Sequence, residues 1–197
     1  MKNHLDKILE KTINGLGDSD KHLMTLFSIA ISINAKNILE LGVRQGDTSL
    51  PLLLAASITN GTVKSVDIDM TEFQCPEEFK NIWEFCHQDS LEFLKQYQGE
   101  KFDLVYIDDW HSYEHVKKEL EFIDQMIKPS SVVLLHDLMY GNTCPYYHID
   151  LTTCSPQWAN GGPYRAVAEL NANFWEFSTI PSNNGLTILR KKYSSKY

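Results

Sequence analysis

The stretch Asn37-Ile38-Leu39-Glu40-Leu41-Gly42-Val43-Arg44-Gln45-Gly46-Asp47-Thr48-Ser49 decides the fold. Ile38, Leu39 and Leu41 form a short apolar run of strand formers. Gly42 and Gly46 then give a tight turn its backbone freedom and leave room for close approach. Asp47, Thr48 and Ser49 are N-cap residue types ahead of the apolar run Leu50–Ile58. Pro51 falls in the first helical turn, where its missing N–H costs little. Strand, glycine turn and helix in this order mark an open α/β sheet, which binds nucleotide-like ligands at the carboxyl ends of its strands.

Working outward, the same alternation recurs. Leu5–Ile13 predicts a short amphipathic helix ended by Gly15 and Gly17. Asp18, Ser19 and Asp20 read as the N-cap of a second helix, Lys21 to Ala35. After the central unit, Val63–Asp69 reads as strand two, ending in acids. A less regular segment with Pro76 predicts a helix up to Trp83. Phe85–Gln88 is strand three, and Asp89 and Ser90 cap the helix Leu91–Gln96. Phe102–Asp108 is strand four. Helix Glu114–Ile127 follows, with Val116, Leu120, Ile123 and Ile127 at helical spacing, and Lys128-Pro129 stops it. Val132–His136 is strand five, apolar enough for a central parallel strand. The segment 138–162 has no clear period and reads as a lid or binding loop. Helix Pro163–Ala172 precedes two alternating strands, Phe174–Ile180 and Leu186–Arg190, joined by the turn Pro181–Gly185. The expectation is one domain over 1–197, with N-terminal helices in 1–35. Its core is a doubly wound, mostly parallel, seven-stranded Rossmann-like sheet, closed by a C-terminal antiparallel β-hairpin.

Composition narrows the partners. At 197 residues the chain can bury a real core. A formal net charge of −8 argues against a nonspecific nucleic-acid binder, which needs a basic surface. The longest apolar stretch, Leu23–Ile33, is too short to span a bilayer. The start, Met1 to Lys7, lacks the apolar core of a signal peptide. The four cysteines (Cys75, Cys86, Cys144, Cys154) have no C-x-x-C spacing, so zinc on thiolates is not expected. Reduced thiols in a cytoplasmic protein are the expectation, although Cys144 and Cys154 share a loop and could pair. An exposed hairpin edge is compatible with a homo-oligomer, which nothing in the residues requires.

Two ligands compete for the glycine turn, a dinucleotide and S-adenosylmethionine. A dinucleotide turn needs G-x-G-x-x-G so that backbone can approach the pyrophosphate. Arg44 and Asp47 stand at the second and third positions. Both crowd a pyrophosphate, and an acid at a helix start repels it. The pattern Glu40-x-Gly42-x-x-x-Gly46 suits a ligand without phosphate. Together with Val66-Asp67-Ile68 at the end of strand two and Gln88-Asp89-Ser90 after strand three, it resembles a class I S-adenosylmethionine-dependent methyltransferase. Arg44 stands where the common form has a third glycine. The resemblance implies a cofactor set of Glu40, Gly42, Val43, Gly46, Thr48, Asp67, Ile68, Asp89, Ser90 and Asp108. In it Asp67 accepts both ribose hydroxyls, Ile68 packs on adenine, Asp89 accepts from the adenine amino group, and the Ser90 N–H donates to the ring. Thr48 would bond the methionine carboxylate.

A second constellation lies at the ends of strands four and five: Asp108, Asp109, His111, His136 and Asp137. Acids and histidines at buried strand ends are costly unless paired. The bland reading is helix capping by Asp109 or Ser112 and a core-satisfied His136; the functional one is a metal- or base-assisted transfer site. Asp108-x-x-His111-x-Tyr113-Glu114, followed by a strand ending His136-Asp137, resembles the small group that includes macrocin-type sugar O-methyltransferases and cephalosporin-hydroxylase-like proteins. Asn183–Leu189 resembles that group's final hairpin. The likeness implies Asp108, His136 and Asp137 as ligands of a divalent metal, magnesium or manganese, with Leu138 where catechol O-methyltransferase has an asparagine ligand. It implies His111 as base, with Asp108 beside it, and His22 closing over the cofactor. Tyr140, Tyr146, Tyr147, His148 and Trp158 of the long loop offer stacking faces for a sugar or aromatic acceptor. The function expected is methyl transfer to a small-molecule hydroxyl. The alternatives are a metal-dependent hydroxylase on the same scaffold and a non-catalytic S-adenosylmethionine-binding module.

Overall fold

The computed structural model describes residues 2–138 and 160–192. Seven strands form one mixed sheet: β1 (Asn37–Leu41), β2 (Thr62–Asp67), β3 (Trp83–His87), β4 (Phe102–Ile107), β5 (Ile127–His136), β6 (Trp175–Ile180) and β7 (Leu186–Lys191). Their order is β3-β2-β1-β4-β5-β7-β6. The first five are parallel, and β7 runs antiparallel to both β5 and β6. Three helices, α1 (Lys2–Asn14), α2 (Leu23–Ser32) and α3 (Ser49–Thr59), cover one face. The others, α4 (Ser90–Gln96), α5 (Tyr113–Met126) and α6 (Gly162–Ala168), cover the other.

The period of two along each central strand feeds both cores. Leu104 and Tyr106 of β4, with Leu134 of β5, pack under α2 and α3. Val105 and Ile107, with Val133 and Leu135, pack under α5. The chain leaves β1 for β2 and β3 on one side, then returns to place β4 on the other. That reversal makes the β1/β4 carboxyl ends a topological switch point, where such sheets bind ligands.

The elements follow the sequence with instructive departures. The second helix begins as a 3-10 turn, Asp20–His22, and ends at Ser32. Asp20 is buried, and its carboxylate accepts from the Gly17 N–H at 2.7 Å instead of capping the helix. The segment before β3 forms only a 3-10 turn, Glu77–Phe79. The helix after the long loop stops at Ala168. β5 begins at Ile127, and its ladder with β4 shifts between Phe102 and Leu104. Pro129 has no N–H to donate, so the pairing breaks there.

Candidate active site

A cavity of about 470 Å³ opens at the switch point, within the usual range for a small-ligand site. Gly42, Asp67, Ile68, Asp89, Ser90 and Asp108 line it, and Arg44 and Trp110 stand beside them. The carboxyl ends of β1, β2 and β4 and the start of α4 therefore converge as the motif spacing predicts. Gly42 has φ +87°, and a Cβ there would overlap the Asp108 carbonyl. Glycine is what lets the ends of β1 and β4 come so close.

Asp67 organises the turn. One of its oxygens accepts from the Val43 and Arg44 N–H groups at 2.7 and 3.0 Å; the other accepts from the Asp69 N–H at 2.9 Å. Arg44 is held at φ +49°, where a side chain other than glycine is strained. Its guanidinium pairs with Asp18 at 3.1 Å. Asp89 caps α4 by accepting from the Glu92 N–H at 3.0 Å while also lining the cavity.

Four residues of the expected cofactor set do not line the cavity: Glu40, Val43, Gly46 and Thr48. Glu40 is fully buried and points under the turn. Its carboxylate accepts from Thr48 (2.8 Å), Ser49 (2.7 Å) and Ser65 (2.6 Å), and the Trp83 indole N–H donates to Ser65 at 2.9 Å. Burial pushes the Glu40 carboxyl up to about 7, against the pull of the three hydroxyls. The Thr48 hydroxyl thus donates to Glu40 in this structure. Val43 contributes its N–H to Asp67, and Gly46, at φ +79°, is packed against Phe73. These residues shape the turn from beneath.

A methyltransferase-domain family model matches residues 39–138, from β1 to the end of β5. The chain belongs to this methyltransferase family. Solved structures share its fold over nearly the whole length. A putative O-methyltransferase from Klebsiella pneumoniae superposes with a TM-score of 0.72 at 14% identity, covering 96% of this chain and 90% of that one. A Podospora anserina methyltransferase solved with S-adenosylhomocysteine gives 0.68 at 18%, covering 98% and 89%. An O-methyltransferase from Bacillus cereus, also with S-adenosylhomocysteine, gives 0.64 at 17%, covering 96% and 91%. A comparison with curated proteins returned no match.

Beyond Asp108 the methyltransferase carries a dense polar cluster. Nε2 of His111 lies 3.4 Å from Asp108 and 3.0 Å from Asp137. Nδ1 of His136 lies 3.4 Å from Asp108 and 3.1 Å from Asp137. The other Asp108 oxygen accepts from the Tyr106 hydroxyl at 2.8 Å and from Ser19 at 3.2 Å. Burial disfavours both imidazolium ions, but the Asp108 and Asp137 carboxylates outweigh it, raising His111 to about 9 and His136 to about 10. Burial would raise Asp108 as well; the two histidines reverse that and hold it well below the carboxylate range. Asp137 sits at φ +65°, a strained conformation that the β5 end fixes.

The donor chemistry of this cluster fits a divalent cation. The Nε2 of His136 lies 3.1 Å from the Asn183 carbonyl, which fixes the ring proton there and leaves Nδ1 as a bare donor in the neutral form. That buried Nδ1 and Oδ1 of Asp137 lie 3.1 Å apart, and beyond the Asp108–His136–Asp137 ion pairs neither has a hydrogen-bond partner among the described residues. One donor each from Asp108, His111 and Asp137 also converge within 4.8 Å of one another, so His111 is within reach of the same ion.

His22 does not close over the cavity. It is buried, with Nε2 at 2.8 Å from the Ser182 carbonyl and its ring edge-on to His136 at 5.5 Å. The nearby hairpin turn draws it in. Burial, with His136 next to it, lowers its pKa. Ser112 begins α5 without a side-chain cap bond, so the capping reading does not account for it. The aromatic loop residues Tyr140, Tyr146, Tyr147, His148 and Trp158, and Cys144 and Cys154, lie outside the described residues. Cys75 and Cys86 are free. Among the described residues, no helix is long and apolar enough to cross a membrane.

The sequence reading missed His115 and Glu119, which with Asp109 form another buried cluster beside Ser90. A signal was present. Glu119 falls between Val116, Leu120 and Ile123 on the apolar stripe of α5, a place where a glutamate is fully buried.

Proposed function

We propose that this S-adenosylmethionine-dependent methyltransferase transfers a methyl group to the hydroxyl of a small molecule, a sugar or an aromatic ring, with a divalent cation at the acceptor end. The position of Asp108 carries the reading. It lines the cavity and also belongs to the histidine–aspartate cluster, so the donor pocket and the proton-handling groups share one wall.

On the donor side, Asp67 would accept from the ribose hydroxyls, Ile68 would pack on the adenine face, and Asp89 and Ser90 would meet the adenine edge; all four line the cavity. The sulfonium of the donor makes its methyl group electrophilic. The protein supplies orientation, a contribution of up to about 7–11 kcal/mol for well-aligned reactants. On the acceptor side the hydroxyl must lose a proton. His111 is the base in this reading, its ring oriented by Asp108 and Asp137. Asp108, Asp137 and Nδ1 of His136 would hold the cation. The two carboxylates suit magnesium, and the His136 imidazole pulls toward a softer ion such as manganese. When bound, the ion would polarise the acceptor oxygen and, by its own charge, favour the neutral form of His111.

The test is calorimetric titration of the full chain with S-adenosylmethionine, with and without Mg²⁺, and with NAD as control. Release of S-adenosylhomocysteine is then followed over a panel of catechols and sugars. Binding of S-adenosylmethionine and not NAD, with metal-stimulated turnover on one hydroxyl class, is the expected result. Folded protein that binds neither ligand would overturn the reading.

A further inference from the structure

Asp108 and Asp109 point into different clusters. Asp109 joins His115 and Glu119, one turn apart on α5, in a group that has no part in the methyl-transfer scheme. Nε2 of His115 lies 3.4 Å from Asp109 and 3.4 Å from Glu119, and the Ser90 hydroxyl lies 3.0 Å from the same nitrogen. Glu119 is wholly buried; among the described residues its Oε1 has only the 3.4 Å ion pair with His115, and its Oε2 and Oδ1 of Asp109 have no hydrogen-bond partner. Burial, with the Asp109 charge beside it, raises the Glu119 carboxyl to about 8, so a cation there would take the place of that proton; ionised and unpaired, such a carboxylate is among the costliest groups to bury.

A histidine proton does not resolve the arrangement. One nitrogen carries at most one proton, and here it faces three oxygens. Charge-assisted N–H···O bonds also run about 2.7–2.9 Å, shorter than the separations to both carboxylates. A metal ion does resolve it. A tetrahedral site with bonds of about 2.0–2.1 Å sets its donors about 3.4 Å apart. One imidazole and two carboxylates suit a borderline first-row ion. We propose that Asp109, His115 and Glu119 bind a divalent cation of the zinc type, with the Ser90 hydroxyl or water completing the shell. The ion would tie α4 and the turn after β4 to α5, under the wall of the cavity that Ser90, Asp109 and His115 line. This site is separate from the Asp108–Asp137 cluster and stands whether or not that cluster holds its own ion.

The experiment titrates the chelator-stripped full chain with zinc chloride in three forms: unmodified, Glu119→Gln and Asp137→Asn. Glu119→Gln should lose one zinc equivalent, or weaken it by at least about tenfold, and Asp137→Asn should keep that equivalent. Zinc-edge anomalous diffraction from the unmodified protein should place an ion between Asp109, His115 and Glu119, and it decides the matter if Glu119→Gln fails to fold. No anomalous peak at that point in zinc-loaded crystals, or unchanged zinc binding in folded Glu119→Gln, would overturn the proposal.

Discussion

Replacing Asp67 by alanine separates what this carboxylate does for the fold from what it does for the ligand. It accepts three backbone N–H groups, at 2.7, 3.0 and 2.9 Å. Val43 is buried, whereas Arg44 and Asp69 are exposed and regain water when the carboxylate goes. The Val43 bond therefore dominates, at about 2 kcal/mol for a bond to a charged acceptor. Against it, the turn would relax the left-handed Arg44, returning about 1 kcal/mol. The net loss of stability is small, about 1–2 kcal/mol, or roughly 2–8 °C in Tm for a chain of this size. The loss in binding is larger. Two ribose hydroxyls that donate to a carboxylate are together worth at least about 3 kcal/mol, or about a hundredfold in Kd. Asp67→Asn keeps one carbonyl oxygen and should fall between the two. The assays are calorimetric titration with S-adenosylmethionine and thermal denaturation of the same samples. Unchanged affinity with lowered Tm would leave Asp67 as a clamp on the turn and remove it from the ligand site; unchanged values in both would refute the whole argument.

Other consequences can be checked on the same protein. The buried Glu40 carboxyl holds its proton up to about pH 7 in the fold but releases it near 4.5 when unfolded, so its contribution is present below pH 4.5 and is lost as the pH rises to 7. That gap bounds the effect at about 3 kcal/mol. Urea denaturation from pH 4.5 to 7.5 should show a decline that is steeper in the unmodified protein than in Glu40→Gln, because the raised His111 and His136 contribute to both, and parallel profiles would contradict it. His111→Gln should lower turnover by at least about a hundredfold while leaving the affinity for S-adenosylmethionine intact, and full turnover on the true acceptor would remove His111 as base. Gly42→Ala forces a side chain into φ +87° against the Asp108 carbonyl. It should cost at least about 2 kcal/mol in chemical denaturation, and a neutral effect would mean the β1 and β4 ends separate easily.

The sequence carried the sheet because its signals were local. Each central strand is a short apolar run closed by a glycine, an acid or a histidine, and α3, α4, α5 and α6 begin at capping residue types or a glycine followed by proline. Alternation of such units leaves few topologies open. The cavity was legible for the same reason. Gly42 and Asp108 are the first residues past β1 and β4, Asp67 is the last of β2, and Asp89 caps the helix that follows β3, so their spacing along the chain translates directly into a shared rim.

What the sequence did not carry was the choice of partner for each polar group, which depends on contacts far apart in the chain. Thr48 and Ser49 look like helix caps, but Glu40 captures both because it faces α3 from β1, eight and nine residues earlier. His22 looked free to cover a ligand until the β6–β7 turn, 160 residues away, offered it a carbonyl. The same blindness hid the split at Asp108-Asp109. Two consecutive carboxylates leaving a strand end are directed to different sides. One meets His111, His136 and Asp137 from β5 and the turns, and the other meets His115 and Glu119 from α5. In sequence they form a single acidic pair. In the fold each has its own histidine and its own second carboxylate, and the cavity lies against both, so a substitution at one aspartate should alter its own cluster and spare the other.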